Sequence, residues 1–192
     1  KPALRKFFLA NASKNTIPKS SFIMSDSVSQ LIKMSASEVK GLKLENEIDT
    51  GHRLLKSKSF FLRRYINHPV YKYLFFKDPR CKGLLVIREV TVNKYPAWRI
   101  VDWYGDVENF TKVLGSLINS ARIENIAFLD LYVAGIPKEE ALKVGLHEIS
   151  DEVVIPNLLE PLVMSNVSIS YVTSNDATPF MVRGDGDQDR PS

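Results

Sequence analysis

Residues 126–133, Ile-Ala-Phe-Leu-Asp-Leu-Tyr-Val, form an almost unbroken apolar run interrupted by one carboxylate. The run predicts a strand covered on both faces rather than one half exposed to water. Such a strand needs packing partners above and below it. The preceding segment supplies one layer. Val107, Phe110, Val113, Leu114, Leu117, Ile118 and Ala121 recur at helical spacing and make a single apolar stripe, with Asp106 in the N-cap position. The expected architecture is therefore a central sheet with helices packed against it.

The rest of the chain fits around that pair. Leu31-Ile32 reads as a short strand. Ser35 and Glu38 have capping-box spacing, which predicts a helix over about 36–48. A second helix is expected over about 53–66, stopped before Pro69. Three antiparallel strands follow over about 70–104: Tyr71–Phe76, Gly83–Val92 and Ala97–Tyr104, the last two joined at Asn93-Lys94. Pro137 opens a helix that Gly145 ends. Glu148–Ile155, Val167–Thr173 and Phe180–Val182 complete the strands, with a loop over 156–162. The predicted class is α+β, a mixed central sheet of about six to seven strands flanked by helices on both faces.

Composition narrows the function classes. No stretch approaches ~18 apolar residues, so no membrane span is expected. The one cysteine, Cys81, excludes an internal disulfide and suits a reducing, cytoplasmic setting. Residues 1–64 carry 13 Lys/Arg against 5 Asp/Glu, while residues 65–192 carry 13 against 17. The basic first third could meet phosphate, nucleic acid or an acidic partner. Its lysines are scattered and no nucleic-acid module is recognisable, which favours a solvated linker. The chain opens Lys1-Pro2 and is read as a processed or excised product. The expected organisation is a linker or upstream remnant over 1–21, one domain over 22–183 and a polar tail over 184–192.

Three motifs carry a resemblance. Arg64-Tyr65-Ile66-Asn67-His68-Pro69-Val70-Tyr71-Lys72-Tyr73, Ile155-Pro156-Asn157-Leu158-Leu159-Glu160-Pro161-Leu162 and Gly184-Asp185-Gly186-Asp187-Gln188-Asp189-Arg190-Pro191-Ser192 resemble, in order, segments of GNAT-like proteins encoded with bacterial surface-polysaccharide genes. The element order is similar to that of the GNAT (acyl-CoA N-acyltransferase) fold. The resemblance implies an acyltransferase-like domain, the second unit of a tandem pair, acting on a sugar or nucleotide sugar in surface-polysaccharide biosynthesis. An upstream acyltransferase-like unit of the same parent chain would be its partner. The alternative is a degenerate, non-catalytic unit that binds substrate or packs on that upstream unit.

Acetyl-CoA or another acyl-CoA is the implied cofactor. The family's Arg/Gln-x-x-Gly-x-Gly/Ala phosphate loop is replaced here by Asp102-Trp103-Tyr104-Gly105-Asp106-Val107-Glu108. Asp106 as a cap would occupy the N–H groups a phosphate needs. Asp106 and Glu108 also put negative charge at a helix start that would otherwise attract an anion.

The same resemblance implies that the strands at 97–104 and 126–133 splay apart to admit ligand. Alternation places Trp98, Ile100 and Asp102 on one face of the first, and Ile126, Phe128, Asp130 and Tyr132 on one face of the second. Asp102 is a candidate general base, or a carboxylate that satisfies neighbouring donors. Asp130 is a candidate substrate ligand with the same alternative. A carboxylate inside an apolar strand needs a partner in either case. His68 could act as a base or lock the Asn67-His68-Pro69 turn. Tyr132 could supply a phenolic acid; Tyr71 and Tyr73 could stack on sugar; all three could equally be core with the hydroxyl at the rim. Asn157 and Glu160 could point into the site from their loop, or serve as caps. Asp185-x-Asp187-x-Asp189 lacks the glycine and later Glu of a calcium loop, so no metal site is expected. No P-loop, G-x-S-x-G or zinc spacing occurs.

Overall fold

The computed structural model describes residues 2–10, 29–43, 56–81, 83–92, 94–150, 165–166, 168–172 and 179–186. Among the described residues the chain is α+β, built on one mixed eight-stranded sheet. Four strands form an antiparallel meander: β2 (Ile32–Met34), β3 (Tyr73–Lys77), β4 (Gly83–Val92) and β5 (Tyr95–Gly105). Lys94, in the left-handed region at φ 71°, lies in the β4–β5 turn. Helix α3 (Val107–Ile123) then carries the chain to β6 (Phe128–Ala134), which runs parallel to β5. Beyond β6 lie β1 (Arg5–Ala10) and the two-residue β7 (His147–Glu148), both antiparallel. Helix α4 (Lys138–Lys143) connects β6 to β7, and Gly145 follows it at φ 91°. That left-handed angle is open to glycine without Cβ strain and ends the helix as expected.

Two differences from the sequence expectation concern the sheet. Residues 5–10, expected in a linker or upstream remnant, form β1, with Phe7 paired to Leu131 in the ladder with β6. Phe7 and Leu9 are buried in the main core, which is what fixes this segment in the sheet. The basic residues around them are a strand's outward alternation and ends rather than the signature of a solvated connection. Among residues 168–172, expected within a strand, the pairing is a single bridge from Ser170 to Ala3. β8 is confined to Met181–Val182 and pairs with the end of β6.

Each face of the sheet has its own layer. Leu85, Ile87, Trp98, Ile100, Leu129 and Leu131 pack under α3, which buries Phe110, Val113, Leu114, Leu117, Ile118 and Ala121. The continuous apolar run of β6 is thus explained, since α3 covers one side and further chain covers the other. On the opposite face Phe75, Leu84, Val86 and Val101 pack against Val39, Phe61 and Tyr65. Val39 belongs to α1 (Ala36–Gly41), whose capping box forms as the spacing predicts: Glu38 N–H donates to Ser35 Oγ, and Ser35 N–H donates to Glu38 Oε2. The helix expected over about 36–48 ends sooner, at Gly41, with Leu42 already extended at φ −68° and ψ 140°; its expected residues 44–48 lie outside the described residues.

The second helix, expected over about 53–66, is described from Lys58; residues 53–55 lie outside the described residues. Ser57 Oγ accepts from Phe60 N–H and caps α2 (Lys58–Phe61). A π turn, Leu62–Ile66, continues it and closes with Asn67 N–H on the Leu62 carbonyl at 2.9 Å. Asn67 then leaves the helix, ahead of Pro69.

Candidate functional site

Strands β5 and β6 pair only from Ala97–Ile100 to Phe128–Leu131. Past that point β6 takes β8 as its partner, through Val133–Val182 and Ala134–Met181. The chain then enters a 3-10 turn, Arg183–Asp185. This turn seats against β5: a Cβ placed on Gly184 would lie 2.9 Å from the Val101 carbonyl and 3.2 Å from Asp102 Cβ. Only a residue without a side chain fits so close to that backbone. The tail expected to be polar over 184–192 therefore begins inside the molecule, with Arg183 and Gly184 buried.

A bulge decides where Asp102 points. Ile87 pairs with Ile100, whereas Val86 pairs with Asp102, so Val101 is an extra residue in β5. The bulge breaks strict alternation. Trp98 and Ile100 share a face, which lies under α3, but Asp102 turns to the opposite face, beside Tyr65. The expectation that Trp98, Ile100 and Asp102 share a face is corrected by this single inserted residue.

Asp102 is fully buried and held on several sides. Tyr65 O–H donates to Oδ2 at 2.6 Å, and Trp103 N–H donates to Oδ1 at 2.8 Å. Lys56 Nζ lies 2.5 Å from the same Oδ1 and 2.6 Å from Asp185 Oδ1. One ammonium thus bridges two carboxylates. Tyr104 O–H fixes the Lys56 carbonyl at 3.0 Å. Burial, then the Asp102 charge and hydrogen bond, push the Tyr65 hydroxyl well above its usual range, so it serves as a proton donor. Burial also raises Asp185, opposed by Lys56 and reinforced by Asp102. The Asp185 side chain accepts from Val182 N–H at 2.7 Å and so closes its own turn.

Asp130 and Tyr132 share a face of β6, as alternation predicts. Asp130 is also fully buried. Its Oδ2 accepts from Arg99 Nε and Arg183 Nη2, each at 3.1 Å. The Arg183 guanidinium lies 4.0 Å from the centroid of the Tyr132 ring, and Lys6 Nζ lies 5.5 Å from it. Burial and the charge of Arg183 lower the Lys6 ammonium from its usual value. Two carboxylates on the separating strands therefore both hold the inserted turn, Asp130 through Arg183 and Asp102 through Lys56 and Asp185.

The aromatic candidates form a chain on the same side. His68 Nδ1 accepts from Val70 N–H at 3.2 Å and from Tyr71 N–H at 2.9 Å, which locks the turn around Pro69 and places the neutral ring's proton on Nε2. The His68 and Tyr71 rings stack at 5.1 Å with 6° between their planes. The Arg88 guanidinium sits 4.1 Å from the Tyr71 centroid. Tyr73 is buried and stands edge-on to both His68 and Tyr65. These rings pack on one another, and Tyr65 links them to Asp102. Asn157 and Glu160 lie outside the described residues, as do Asp187 and Asp189.

Lys56, Tyr65, Arg99 and Arg183 were not among the expected site residues. Arg99 and Arg183 could have been marked as charges beside apolar strand positions. Lys56 offers no local signal, because its partners lie 46 and more positions away. At the start of α3, Asp106 occupies the N-cap position but its side chain makes no cap hydrogen bond, contrary to expectation. Its carbonyl instead accepts from Trp103 Nε1 at 3.0 Å. Asp106 and Glu108 still place carboxylates at this helix start, an unfavourable setting for a pyrophosphate. Cys81 is half-buried in the loop before β4, and burial pushes its thiol up, away from a reactive thiolate.

Among the described residues, no three His, Cys, Asp or Glu side chains gather as a metal site, and no helix is long and apolar enough to cross a membrane. No family model, no curated protein and no solved structure matches the chain.

Proposed function

We propose that the chain is an acyltransferase-like unit, of GNAT type, within a larger cytoplasmic protein that acts on a sugar or nucleotide sugar in surface-polysaccharide biosynthesis. We further propose that this unit binds substrate or supports an upstream catalytic unit, and does not itself transfer the acyl group. The three sequence motifs and the parallel pair β5–β6, separating after Ile100 and Leu131, support the first part.

The single observation that carries the second part is the occupied gap. Arg183–Asp185 sits where β5 and β6 diverge, and the carboxylate best placed as a base, Asp102, is fully buried and engaged by Tyr65, Lys56 and Trp103. A general base must reach the proton it removes, directly or through one water. Asp102 in this state is a structural acceptor. The carboxylates of Asp106 and Glu108 weigh in the same direction, against a CoA pyrophosphate at α3.

Calorimetry on the chain tests both parts. Acetyl-CoA at millimolar concentration is expected to give no binding heat, while a panel of nucleotide sugars is expected to contain a binder. Stoichiometric binding of acetyl-CoA would overturn the supporting role. A panel without a binder would remove the sugar assignment.

A further inference from the structure

We infer that the C-terminal turn Arg183–Gly186 is a strap over the β5–β6 gap that opens as one unit while the sheet stays folded. The inference rests on the preceding reading only in taking that gap as the ligand-facing side.

The segment divides sharply into an anchor and a latch. Phe180 and Val182 are buried in the main core, and the Phe180 ring meets Phe110 edge-on at 5.2 Å. From Arg183 onward the apolar contacts give way to polar ones. Arg183 reaches Asp130 on β6, Asp185 reaches Lys56 beside Asp102 of β5, and the Gly186 carbonyl accepts from Arg64 Nη2 of the π turn at 2.8 Å. Three separate elements each hold the strap by a charged side chain.

This chemistry suits a reversible closure. Bringing ions out of water costs nearly as much as their mutual attraction returns, so buried ion pairs add little net stability even when well formed. The anchored part, by contrast, is held by apolar burial. The strap also lies where β5 and β6 do not pair with each other, so its departure breaks none of the β4–β5, β5–β6 or β6–β1 ladders. Val182, extended at φ −128° and ψ 175°, is the point where anchor meets latch. Opening there would uncover Asp102 and Asp130, hydrogen-bond acceptors suited to hydroxyl or amine groups. The closed strap is thus autoinhibitory toward whatever polar ligand the gap admits.

Amide hydrogen exchange by NMR on the whole chain tests this without any ligand, so its failure is separable from failure of the functional reading. The reporter is Val182 N–H, bonded to Asp185 in the closed turn. The perturbation is Arg64→Ala, which removes a different grip. If the strap moves as a unit, Val182 exchange should accelerate about tenfold in Arg64→Ala, while Leu117 and Leu131 keep their wild-type rates. An unchanged Val182 rate would overturn the inference, and so would equal acceleration at Leu117 and Leu131. Should Arg64→Ala fail to fold, Arg64→Lys keeps the charge but loses the guanidinium fork, and the same two readings apply to it.

Discussion

Asp102→Ala should be among the most damaging single substitutions in this chain. The carboxylate has no contact with water and holds Lys56, the Tyr65 hydroxyl and the Trp103 amide. Truncation leaves Lys56 with Asp185, and it deprives two buried donors of this acceptor. Each buried donor so orphaned costs ~1–3 kcal/mol. Breaking a buried ion pair from one side costs ~3–5 kcal/mol. These effects share the same atoms and do not add, so the expected loss is ~3–5 kcal/mol. Against a total stability of ~5–15 kcal/mol for a domain, that is a large fraction. Trp98 and Trp103 are both fully buried, so tryptophan fluorescence reports unfolding in urea. With a slope of ~1–3 kcal/mol per M, the midpoint should fall by about 1 M or more, at unchanged slope. Asp102→Asn retains one acceptor oxygen and should lose less. A loss below ~1 kcal/mol for Asp102→Ala would refute the reasoning, because it would mean that Lys56, Tyr65 and Trp103 lose nothing when this buried acceptor is removed.

Four further outcomes follow from the same structure. Phe110→Ala should cost ~3–5 kcal/mol, since the ring is fully buried between Trp103 and Phe180; urea unfolding checks it. Gly184→Ala should cost ~1–3 kcal/mol, because its Cβ would press on the Val101 carbonyl, a backbone atom with nowhere to move; thermal unfolding checks it. The Arg80 hydrogen bonds hold Asp78 down at about 2, helped by Ser29, so its contribution is present above the usual carboxylate range and is lost as pH falls toward 2. Asp78→Asn should therefore flatten the acid limb of a stability–pH curve. Asp185 has the opposite sign: burial raises it, so the folded state takes up a proton, and its contribution fades as pH rises through the raised value. Asp185→Asn should remove that part of the pH dependence, measured as urea midpoints between acid and neutral pH.

Apolar patterning made most of the architecture legible. The stripe on α3, the run in β6 and the Ser35–Glu38 box each express a local periodicity, and each forms where that periodicity places it. The bulge at Val101 escapes such reading because one extra residue leaves no mark in composition, yet it reverses the face of Asp102. The identity of Asp102 and Asp130 as the notable charges was legible for a simple reason: a carboxylate among apolar strand residues must have partners. The partners themselves were not. Lys56, Arg183 and Asp185 lie in polar stretches that look solvated, and only the tertiary fold brings them to the sheet.

That asymmetry bears on how the gap is closed. A parallel pair that separates leaves backbone donors and acceptors of both strands without each other, and burying them unsatisfied would be costly. β8 meets part of this need by pairing with Val133 and Ala134 of β6. It does not extend far enough to pair with β5. There the chain turns instead, and side chains take over: Asp102 accepts from the amide next to it, and Lys56 neutralises the carboxylate. An all-apolar insert could fill the same space, but it would leave Asp130 with Arg99 and without Arg183, and Asp102 with Lys56. Arg183 thus adds a second cation to Asp130, and Lys56 serves both Asp102 and the insert's own Asp185. Substituting the whole set by apolar residues of similar volume, Asp102→Leu, Lys56→Met and Asp185→Leu together, should recover most of the stability that Asp102→Ala loses. Urea midpoints would show this directly. A triple variant as unstable as the single one would mean that the cluster stabilises through its hydrogen bonds to Tyr65 and Trp103 and not through its charge balance.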